Sequence, residues 1–382
     1  MNHLVYITYG ENKGNVYRTQ VIELLNAWIK RPGWKISLIQ IANGKMFEGL
    51  DGKVDRIFIE RRNKLLLNSD IKYYCNSIRN QFNFTSESLF FNSRGYFAYN
   101  ISVHLVQKFN TEHIINNLDV RGVSEELKYS FTKNLFNPFL DRYYKKVFSK
   151  ATSVTAVSNN LKTYLINKYK NNAGLTDIKV IPTLSIMQYK KTDKIKKNLA
   201  YVGKIAWIKK KNFIDGVQYL ASLIADRGWK IEIIGATNSI SELESNNIIY
   251  VNRMSPTDLY LYLSTFHSGI VLRDSSIVNR VASPCKISDY LCLGIPIIYS
   301  GEIGSIQDFV ERYPKCHKYI LGLSELKNNN ELLKEFISIA DEEREKLSSL
   351  ALSYFGINSV VDEYIDYFES NTNFKYLDKG VD

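Results

Sequence analysis

Short apolar runs alternate with amphipathic stretches along most of the chain. The runs LVYITY (4–9), WKISLIQI (34–41) and VDRIFIE (54–60) have the length and apolar character of buried strands, and VYRTQVIELLNAWIK (16–30) has helical period. Strands that alternate with helices are typical of βαβ units with parallel strands. The pattern begins again at LAYVG (199–203). The periodicity therefore predicts an α/β fold of two doubly wound, Rossmann-like domains.

The length of the chain supports two domains. It has 382 residues, whereas single hydrophobic cores stop growing beyond about 250–300 residues. The run MQYKKTDKIKK (187–197) is polar and basic without an apolar period, which is typical of a linker. We therefore expect an N-terminal domain over residues 1–188 and a C-terminal domain over residues 189–356.

The formal net charge of +11 indicates an anionic partner, because a basic protein attracts phosphates, acidic lipids and nucleic acid. The basic residues are scattered over both halves and form no aromatic-basic module, so nucleic acid is not expected. The segment DRYYKKVFSK (141–150) combines basic and aromatic residues. Such a helix is usually a solvated face, but it also suits an anionic membrane surface.

The cysteines give no sign of a metal site or a disulfide framework. Cys75, Cys285, Cys292 and Cys316 lack metal-like spacing, and no His and Asp residues cluster at the spacing of metal ligands. The N-terminus does not resemble a signal peptide, and no apolar run reaches the roughly 18 residues of a spanning helix. We expect a cytoplasmic protein that, if a membrane is involved, lies on its inner face.

The segment from residue 273 to residue 301 carries the clearest chemistry. It lies between two apolar runs that read as strands, SGIVLR (268–273) and IPIIYS (295–300). One short helix is predicted between them, with Ser283 as its cap, Pro284 at its first position and Gly294 as a left-handed stop at its end.

The predicted helix has the features of a phosphate site. A helix that begins at the carboxyl end of a parallel strand directs unpaired backbone amides into the crevice where open α/β sheets bind ligands. Lys286 and Asp289 project from one face of it, so a cation for phosphate stands beside a carboxylate for ribose hydroxyls. The alternative is an ordinary capped helix with an exposed ion pair.

The sequence SPCKISDYLCLGIPII (283–298) resembles the donor-site segment of the retaining GT-B glycosyltransferases, the large family that builds bacterial capsule, O-antigen and related polysaccharides. In that family a proline, a lysine two residues later, and an acidic residue followed by Tyr-Leu precede a glycine and a strand. These are Pro284, Lys286, Asp289 and Gly294 here, and Asp289 replaces the usual glutamate. The resemblance implies two domains that face a central cleft, with a final helix within residues 357–382 returning to the first domain.

The resemblance also implies how the second domain holds a donor. Gly203 admits the diphosphate or the sugar, and two cations follow, Lys204 and either Lys209 or Lys210. Cations at these positions stabilise the charge that develops on a leaving diphosphate. The remaining donor-binding residues implied by the match are Arg253, Met254, Arg273, Asp274, Ser283 and Pro284.

The acceptor is expected in the first domain. The loop that contains Gly14 faces the cleft in the family, and Arg94 stands near the position where many members have a catalytic histidine. An arginine there is a permanent cation, better matched to a phosphate or an acidic sugar. The segment DVRGVSEE resembles an Asp-x-Arg-Gly segment with a following acidic pair in some polysaccharide glycosyltransferases, and its charged groups at a strand end can hydrogen-bond a sugar acceptor. The alternative interpretation is a salt-bridged loop. Its charged residues are Asp119, Arg121, Glu125 and Glu126.

The function that the resemblance implies is transfer of a sugar to a growing glycan or a lipid-linked oligosaccharide, with retention of configuration. The donor is a UDP- or GDP-linked sugar, and no metal or other cofactor is expected. Two alternatives stay open. One is a nucleotide-sugar epimerase or hydrolase of the same fold, and the other is a non-enzymatic protein that binds membranes or nucleic acid through its basic charge.

Overall fold

The computed structural model describes residues 1–11, 14–45, 48–62, 68–81, 88–107, 113–123, 125, 137–169, 178–192, 195–203, 208–235, 240–243 and 245–371. The chain divides into two compact units, one formed by Met1–Ile181 together with the chain from Val360 onward, and one formed by Pro182–Ser359. Each unit contains a parallel sheet with alternating helices. The predicted α/β class is confirmed.

The first unit contains a seven-stranded parallel sheet. Its strands are β1 (Asn2–Tyr9), β2 (Trp34–Ala42), β3 (Asp55–Glu60), β4 (Ser88–Arg94), β5 (His113–Val120), β6 (Ser153–Ala156) and β7 (Ile178–Val180). The strand order is β3-β2-β1-β4-β5-β6-β7. The direction of winding reverses between β1 and β4, and in open α/β sheets the ligand crevice lies outside the carboxyl ends of the strands at this point.

The helices of the first unit connect these strands. They are α1 (Asn15–Tyr17), which continues through a π-helical segment (Arg18–Glu23) into α2 (Leu24–Trp28), and then α3 (Asn68–Gln81), α4 (Tyr96–Val106), α5 (Asn137–Phe148) and α6 (Asn159–Lys168). Ser158 caps α6, because its hydroxyl accepts the Leu161 N–H at 3.1 Å. This local signal is readable in the sequence.

The second unit contains a six-stranded parallel sheet. Its strands are β8 (Lys196–Val202), β9 (Lys230–Ile234), β10 (Ile248–Val251), β11 (Phe266–Val271), β12 (Ile297–Tyr299) and β13 (Ile320–Gly322). The order is β10-β9-β8-β11-β12-β13, so the winding reverses between β8 and β11. Its helices are α7 (Lys210–Ile224), α8 (Pro256–Leu263), α9 (Ile277–Arg280), α10 (Cys285–Cys292), α11 (Gly304–Arg312), α12 (Leu323–Asn328), α13 (Glu331–Ile337) and α14 (Asp341–Phe355).

The last helix, α15 (Ile357–Asn371), packs on the first unit. The Trp28 ring lies 5.6 Å from the Tyr364 ring and 5.9 Å from the Phe368 ring, between centroids. Phe368 also stacks on Phe90 at 5.7 Å. Aromatic side chains of this size dominate the energetics of a core, so α15 is an integral part of the first unit. Residues 372–382 lie outside the described residues.

The first unit ends at Ile181, earlier in the chain than the boundary expected at residue 188. The segment that follows is bonded into the second unit: the N–H of Thr183 donates to Ser283 Oγ, and the N–H of Ser185 donates to the Phe355 carbonyl. The polar composition of residues 187–197 indicated a solvated segment, but it did not show where the first unit ends. That boundary is set by the hydrogen bonds that join Thr183 and Ser185 to the second unit. Within the described ranges, none of the helices combines the length and apolar character needed to cross a bilayer.

Candidate functional site

Helix α10 begins one residue later than expected. Cys285 is its first residue, and Pro284 occupies the capping position in an extended conformation without a side-chain cap. The expectation that Ser283 caps the helix is wrong, because its hydroxyl accepts the backbone N–H of Thr183 at 3.1 Å. The expected stop at Gly294 is confirmed, since its φ of 69° is left-handed. Pro284 therefore supplies no side-chain cap to the first turn of α10.

Two helices, rather than the one expected, lie between β11 and β12. The additional helix is α9, and Ser276 caps it by accepting the Asn279 N–H at 3.3 Å. Its buried Asn279 accepts a hydrogen bond from the Arg273 guanidinium at 2.8 Å and donates one to the Asp274 carbonyl, also at 2.8 Å. Asn279 thus orients the chain after β11. Sequence reasoning missed it, although Ser276 followed by Asn279 is a recognisable capping signal.

Lys286 lies over the end of β8. Its Nζ is 4.8 Å from the centroid of the Tyr201 ring. A Cβ atom added to Gly203 would lie 3.2 Å from the same Nζ, and the φ of Gly203 is +92°. Glycine suits this position because it adopts a positive φ without strain and has no Cβ atom to crowd the Lys286 ammonium. The structure therefore brings together the predicted residues Gly203 and Lys286, and adds Tyr201, which the sequence analysis did not single out.

Arg273 adds a second cation to this place. Burial and, to a smaller extent, the positive charge of Arg273 lower the pKa of Lys286 to about 8. Arg273 also acts electrostatically on Tyr201. Among the described residues Lys286 forms no ion pair. Two cations, a glycine and a helix N-terminus without a side-chain cap from Pro284 therefore lie together at the carboxyl ends of β8 and β11, and positive groups of this kind are suited to phosphate.

Asp289 lies one turn farther along α10 and does not pair with Lys286 in the part of the chain described. Its Oδ1 accepts a hydrogen bond from Ser185 Oγ at 2.6 Å. Burial raises the pKa of this carboxyl to about 7, although the Ser185 bond opposes the rise. The alternative of an exposed ion pair on an ordinary helix is therefore wrong. A carboxylate held this way can accept hydrogen bonds from vicinal hydroxyls.

The loop after β8 is tied to the chain after β11. The carboxylate of Asp274 accepts the Lys209 backbone N–H at 2.7 Å and the Asn212 side-chain amide at 2.6 Å. It therefore caps α7, whose own capping residue Lys209 supplies no side-chain bond. The Nζ of Lys210 pairs with Glu242 at 2.8 Å. Lys204 lies outside the described residues.

Arg253 and Met254 lie in the loop that follows β10. Gly235, at the end of β9, approaches this loop closely: a Cβ atom there would lie 3.9 Å from Arg253 Cα. The Arg253 side chain is exposed and Met254 is partly buried. The expected base-binding residues therefore stand at the carboxyl edge of the same sheet as Gly203 and Lys286.

Four side chains of the first unit align across the carboxyl ends of β1, β4, β5 and β6. The strand register pairs Thr8 with Arg94, Arg94 with Asp119, and Asp119 with Thr155. Arg94 Nε lies 2.8 Å from Glu11 Oε2, and Arg94 NH1 lies 4.0 Å from Asp119 Oδ2. The predicted residue Arg94 is therefore held between two carboxylates.

The remaining acceptor candidates divide into two groups. Arg121 Nε lies 2.8 Å from Asp119 Oδ2, which is the salt-bridged arrangement considered from the sequence. Glu125 instead bonds to α6, where it accepts hydrogen bonds from Tyr164 Oη at 2.5 Å and Lys168 Nζ at 3.0 Å. Gly14 precedes α1 with a φ of 93° and open space around its Cβ position. Glu126 lies outside the described residues.

Two histidines of the described residues have structural contacts. The His267 ring lies 4.9 Å from the Trp229 ring, and burial lowers its pKa to about 4. His104 Nδ1 lies 2.8 Å from the Asn100 carbonyl. Within the described residues, His, Cys and carboxylate side chains form no cluster of three or more at metal-binding distance.

No protein-family model matches the chain, and no curated protein matches its sequence. Solved structures match it over nearly its whole length. Sucrose-phosphate synthase from Thermosynechococcus elongatus is 13% identical with a TM-score of 0.65, and the match covers 97% of this chain and 99% of that chain. The lipopolysaccharide outer core galactosyltransferase WaaB is 12% identical with a TM-score of 0.63, covering 97% and 100%.

A third match is a putative UDP-N-acetylglucosamine 2-epimerase from Listeria monocytogenes, which is 13% identical with a TM-score of 0.56, covering 97% of this chain and 96% of that chain. These likenesses establish the fold, which is the GT-B fold that the donor-segment resemblance implied. A fold shared by a synthase, a galactosyltransferase and a putative epimerase does not by itself define a reaction.

Proposed function

We propose that the chain is a glycosyltransferase that moves a sugar from a nucleotide-diphosphate sugar to a growing glycan or lipid-linked glycan, with retention of configuration, in the synthesis of a surface polysaccharide. The observation that carries this proposal is the position of Lys286. Its ammonium lies against Gly203, next to Arg273 and the uncapped start of α10. Two cations beside the N-terminus of a helix, where the positive end of the helix dipole lies, favour the binding of a diphosphate.

The donor sugar nucleotide lies along the carboxyl edge of the second sheet. Lys286, Arg273 and the first amides of α10 bind its phosphates, and Asp289 accepts hydrogen bonds from the ribose hydroxyls. The chain around Arg253 and Met254 covers the base. UDP and GDP are the expected nucleotides, since the resemblance covers both.

Three lysines are candidates for stabilising the leaving diphosphate. Lys210 is engaged with Glu242, whereas the side chain of Lys209 is exposed and its backbone is held beside Arg273 through Asp274. We therefore favour Lys209, together with Lys204, for this role. The bond from the sugar to the diphosphate breaks, the acceptor oxygen forms the new bond, and the acceptor proton passes to the leaving phosphate oxygen.

The glycan acceptor and the membrane are further parts of the proposal. Helix α5 turns Tyr143 and Tyr144 inward, where they pack against Phe97 at 5.2 Å and Tyr96 at 3.8 Å, between ring centroids. The exposed surface of α5 carries Arg142, Lys145 and Lys146. We propose that this basic surface supports a cytoplasmic enzyme at the inner face of an anionic membrane, where lipid-linked acceptors are present.

The decisive experiment measures thermal unfolding with UDP-, GDP-, CMP- and dTDP-sugars. We expect one base to stabilise the chain, by about 2.7 kcal/mol at a ligand concentration near 100 times the dissociation constant. Lys286→Ala and Asp289→Ala should lose the response. Lys334→Ala is the matched control, because its exposed ammonium pairs with Glu331 on the surface. Equal responses in all four proteins would remove the donor-site assignment.

Epimerisation is the second candidate, because a putative UDP-N-acetylglucosamine 2-epimerase shares the fold. The two reactions differ in what happens without an acceptor. An epimerase inverts a centre of the donor sugar, whereas a transferase leaves the sugar of its nucleotide donor in its original configuration. Proton NMR of the nucleotide sugar incubated with the protein separates them, and a new epimer would contradict the transferase proposal.

We also propose that transfer needs no metal ion, since lysine and arginine supply the positive charge at the diphosphate. Adding EDTA to the transfer reaction is then expected to leave its rate unchanged. A loss that Mg²⁺ or Mn²⁺ restores would contradict this part of the proposal while leaving sugar transfer itself intact.

A further inference from the structure

Several buried polar atoms of the described residues have no hydrogen-bond partner, and three of them lie in one charged cluster near the carboxyl edge of the first sheet. These three are the hydroxyl of Tyr6 and the NH1 atoms of Arg94 and Arg121. Tyr6 is fully buried and Arg94 is 8% exposed. Buried polar atoms in folded proteins are almost always bonded. Three exceptions on neighbouring strands therefore call for a functional explanation.

These atoms belong to one cluster. The charged groups that act on the Tyr6 hydroxyl are Asp119, Arg94, Arg121 and Glu11. Asp119 Oδ2 lies 2.8 Å from Arg121 Nε and 4.0 Å from Arg94 NH1, so one carboxylate stands between the two guanidinium groups.

The cluster has more positive charge than its buried carboxylate can balance. The other oxygen of Asp119 is already used, since it accepts a hydrogen bond from Thr155 at 3.0 Å. The second carboxylate near Arg94 belongs to Glu11, whose side chain is 45% exposed. The two guanidinium groups therefore share one buried carboxylate, Asp119, and one exposed carboxylate, Glu11, which an anionic ligand could replace.

Helix α4 starts at the same edge. It follows Arg94 directly through Gly95, has eleven residues and lacks a side-chain cap. Its first backbone N–H groups and the positive end of its dipole add to the field of the two arginines. This is a second, independent contribution to the binding of an anion.

We propose that Tyr6, Arg94, Arg121 and the first turn of α4 form an anion subsite that binds a phosphate or carboxylate group of the acceptor. The oxygens of this group accept hydrogen bonds from the Tyr6 hydroxyl and from the two NH1 atoms. The arriving anion displaces Glu11 from Arg94. The inference rests on the proposed sugar transfer and adds the class of acceptor, which is a phosphorylated or acidic sugar rather than a neutral one.

Calorimetric titration with inorganic phosphate, glucuronate and neutral glucose tests the subsite. The titrations use the full chain with Lys286→Ala, so that phosphate binding at the donor site is weakened. We expect phosphate or glucuronate to bind and glucose not to bind. Binding of phosphate alone indicates a phosphorylated acceptor, and binding of glucuronate alone indicates an acidic sugar.

Tyr6→Phe is the most informative variant. Its hydroxyl has no partner among the described residues, so its removal should leave the unfolding temperature unchanged or higher. It should weaken anion binding about ten-fold or more, because a hydrogen bond to a charged group is lost. If Tyr6 has a purely structural role, Tyr6→Phe should lower the unfolding temperature and leave the affinity for the anion unchanged.

Two further variants should change the affinity for the anion in opposite directions. Glu11→Gln removes the competing carboxylate and should tighten anion binding several-fold. Arg94→Lys keeps the charge but loses the planar fork and should weaken binding, whereas Arg79→Lys on the exposed surface of α3 should not. If neither anion binds, or if Tyr6→Phe and Glu11→Gln leave the affinity unchanged, the subsite is overturned. The donor proposal is tested separately by nucleotide-sugar binding to the chain with intact Lys286.

Discussion

Burial controls the chemistry of the two ionisable residues on α10. It lowers the pKa of Lys286 to about 8, together with the charge of Arg273, and raises the pKa of Asp289 to about 7. Each shift favours the neutral form, because a charge taken from water loses solvation. Both residues therefore titrate near neutral pH, which bears on the proposed binding of a donor.

Donor affinity is expected to follow a narrow bell with its maximum between about pH 7 and pH 8. Below this range Asp289 is protonated and binds the ribose less well, and above it Lys286 loses its charge. Calorimetric titration of the preferred nucleotide sugar from about pH 6 to pH 9 measures both limbs. Lys286→Arg should shift the alkaline limb beyond the range, because arginine stays charged, and Asp289→Asn should flatten only the acidic limb.

The same carboxyl affects stability with a defined sign. Because its pKa is raised in the folded protein, the folded state binds more protons than the unfolded state between about pH 4 and pH 7, and stability falls as the pH rises through this interval. Asp289→Asn should therefore raise the unfolding temperature at pH 8 but not at pH 4. An equal change at both pH values would show that Asp289 is ionised throughout.

At the scale of the element, α10 is held at both ends by groups distant in sequence. Its carboxyl end meets α14: Arg344 Nε donates to the Gly294 carbonyl at 3.0 Å, and Ser348 Oγ donates to the Cys292 carbonyl at 2.6 Å. These bonds satisfy carbonyls that a helix leaves unpaired, and the arginine complements the negative end of the helix dipole. At the amino end, Pro284 supplies no side-chain cap.

Gly294→Ala is expected to destabilise the second unit by about 2 to 5 kcal/mol. The residue is left-handed, and an added Cβ would clash with the Arg344 backbone, so the cost of the conformation adds to that of overpacking. Gly228→Ala is the matched control, because its φ is 68° but its Cβ would meet nothing within 4 Å. Urea unfolding of both variants isolates the clash, and equal losses would show that only backbone conformation matters.

At the scale of the whole molecule, the first unit is formed by two segments that are far apart in the sequence. Residues from Val360 onward belong to the unit that begins at Met1, and the intervening residues Pro182–Ser359 form the other. Phe368 of α15 and Phe309 of α11 are each fully buried, and they lie in different units. Each unit therefore has its own hydrophobic core. We expect a substitution in one core to destabilise that unit without destabilising the other.

Phe368→Ala and Phe309→Ala test this separation. Each should cost about 3 to 5 kcal/mol in its own unit. Calorimetry with and without the nucleotide sugar identifies the transition of the second unit, which the ligand raises. Phe368→Ala is expected to lower the other transition only, and Phe309→Ala the ligand-sensitive one. If both substitutions lower the two transitions equally, the units unfold as one.

Much of the fold was predictable because its signals are local. Apolar runs at strand spacing and amphipathic runs at helical spacing define the two parallel sheets, and Ser158, Ser255 and Gly294 mark helix ends through bonds within a few residues of themselves. Helix α9 was missed, although Ser276 and Asn279 signal it, because a four-residue helix has too little period to stand out.

The candidate donor site was predictable in part. Gly203, Lys286 and Asp289 are recognisable from their motifs, yet their partners lie far away in the chain. Tyr201 meets Lys286 and Ser185 meets Asp289 only when β8 and α10 are assembled. The spacing of residues along a helix predicts which face of the helix a side chain lies on. It does not predict which residue from a distant part of the chain contacts that face.

The sequence by itself determined the class of fold, the two-part organisation and the motif that points to a nucleotide sugar, because each is encoded by neighbouring residues. Only the tertiary structure decided which charges pair and which polar atoms remain unmatched. Asp119 bonds Arg121 and lies near Arg94 because parallel register aligns β4 with β5. Electrostatic energy in a folded protein depends on distance in space and on burial, and both are set by packing between segments remote in sequence.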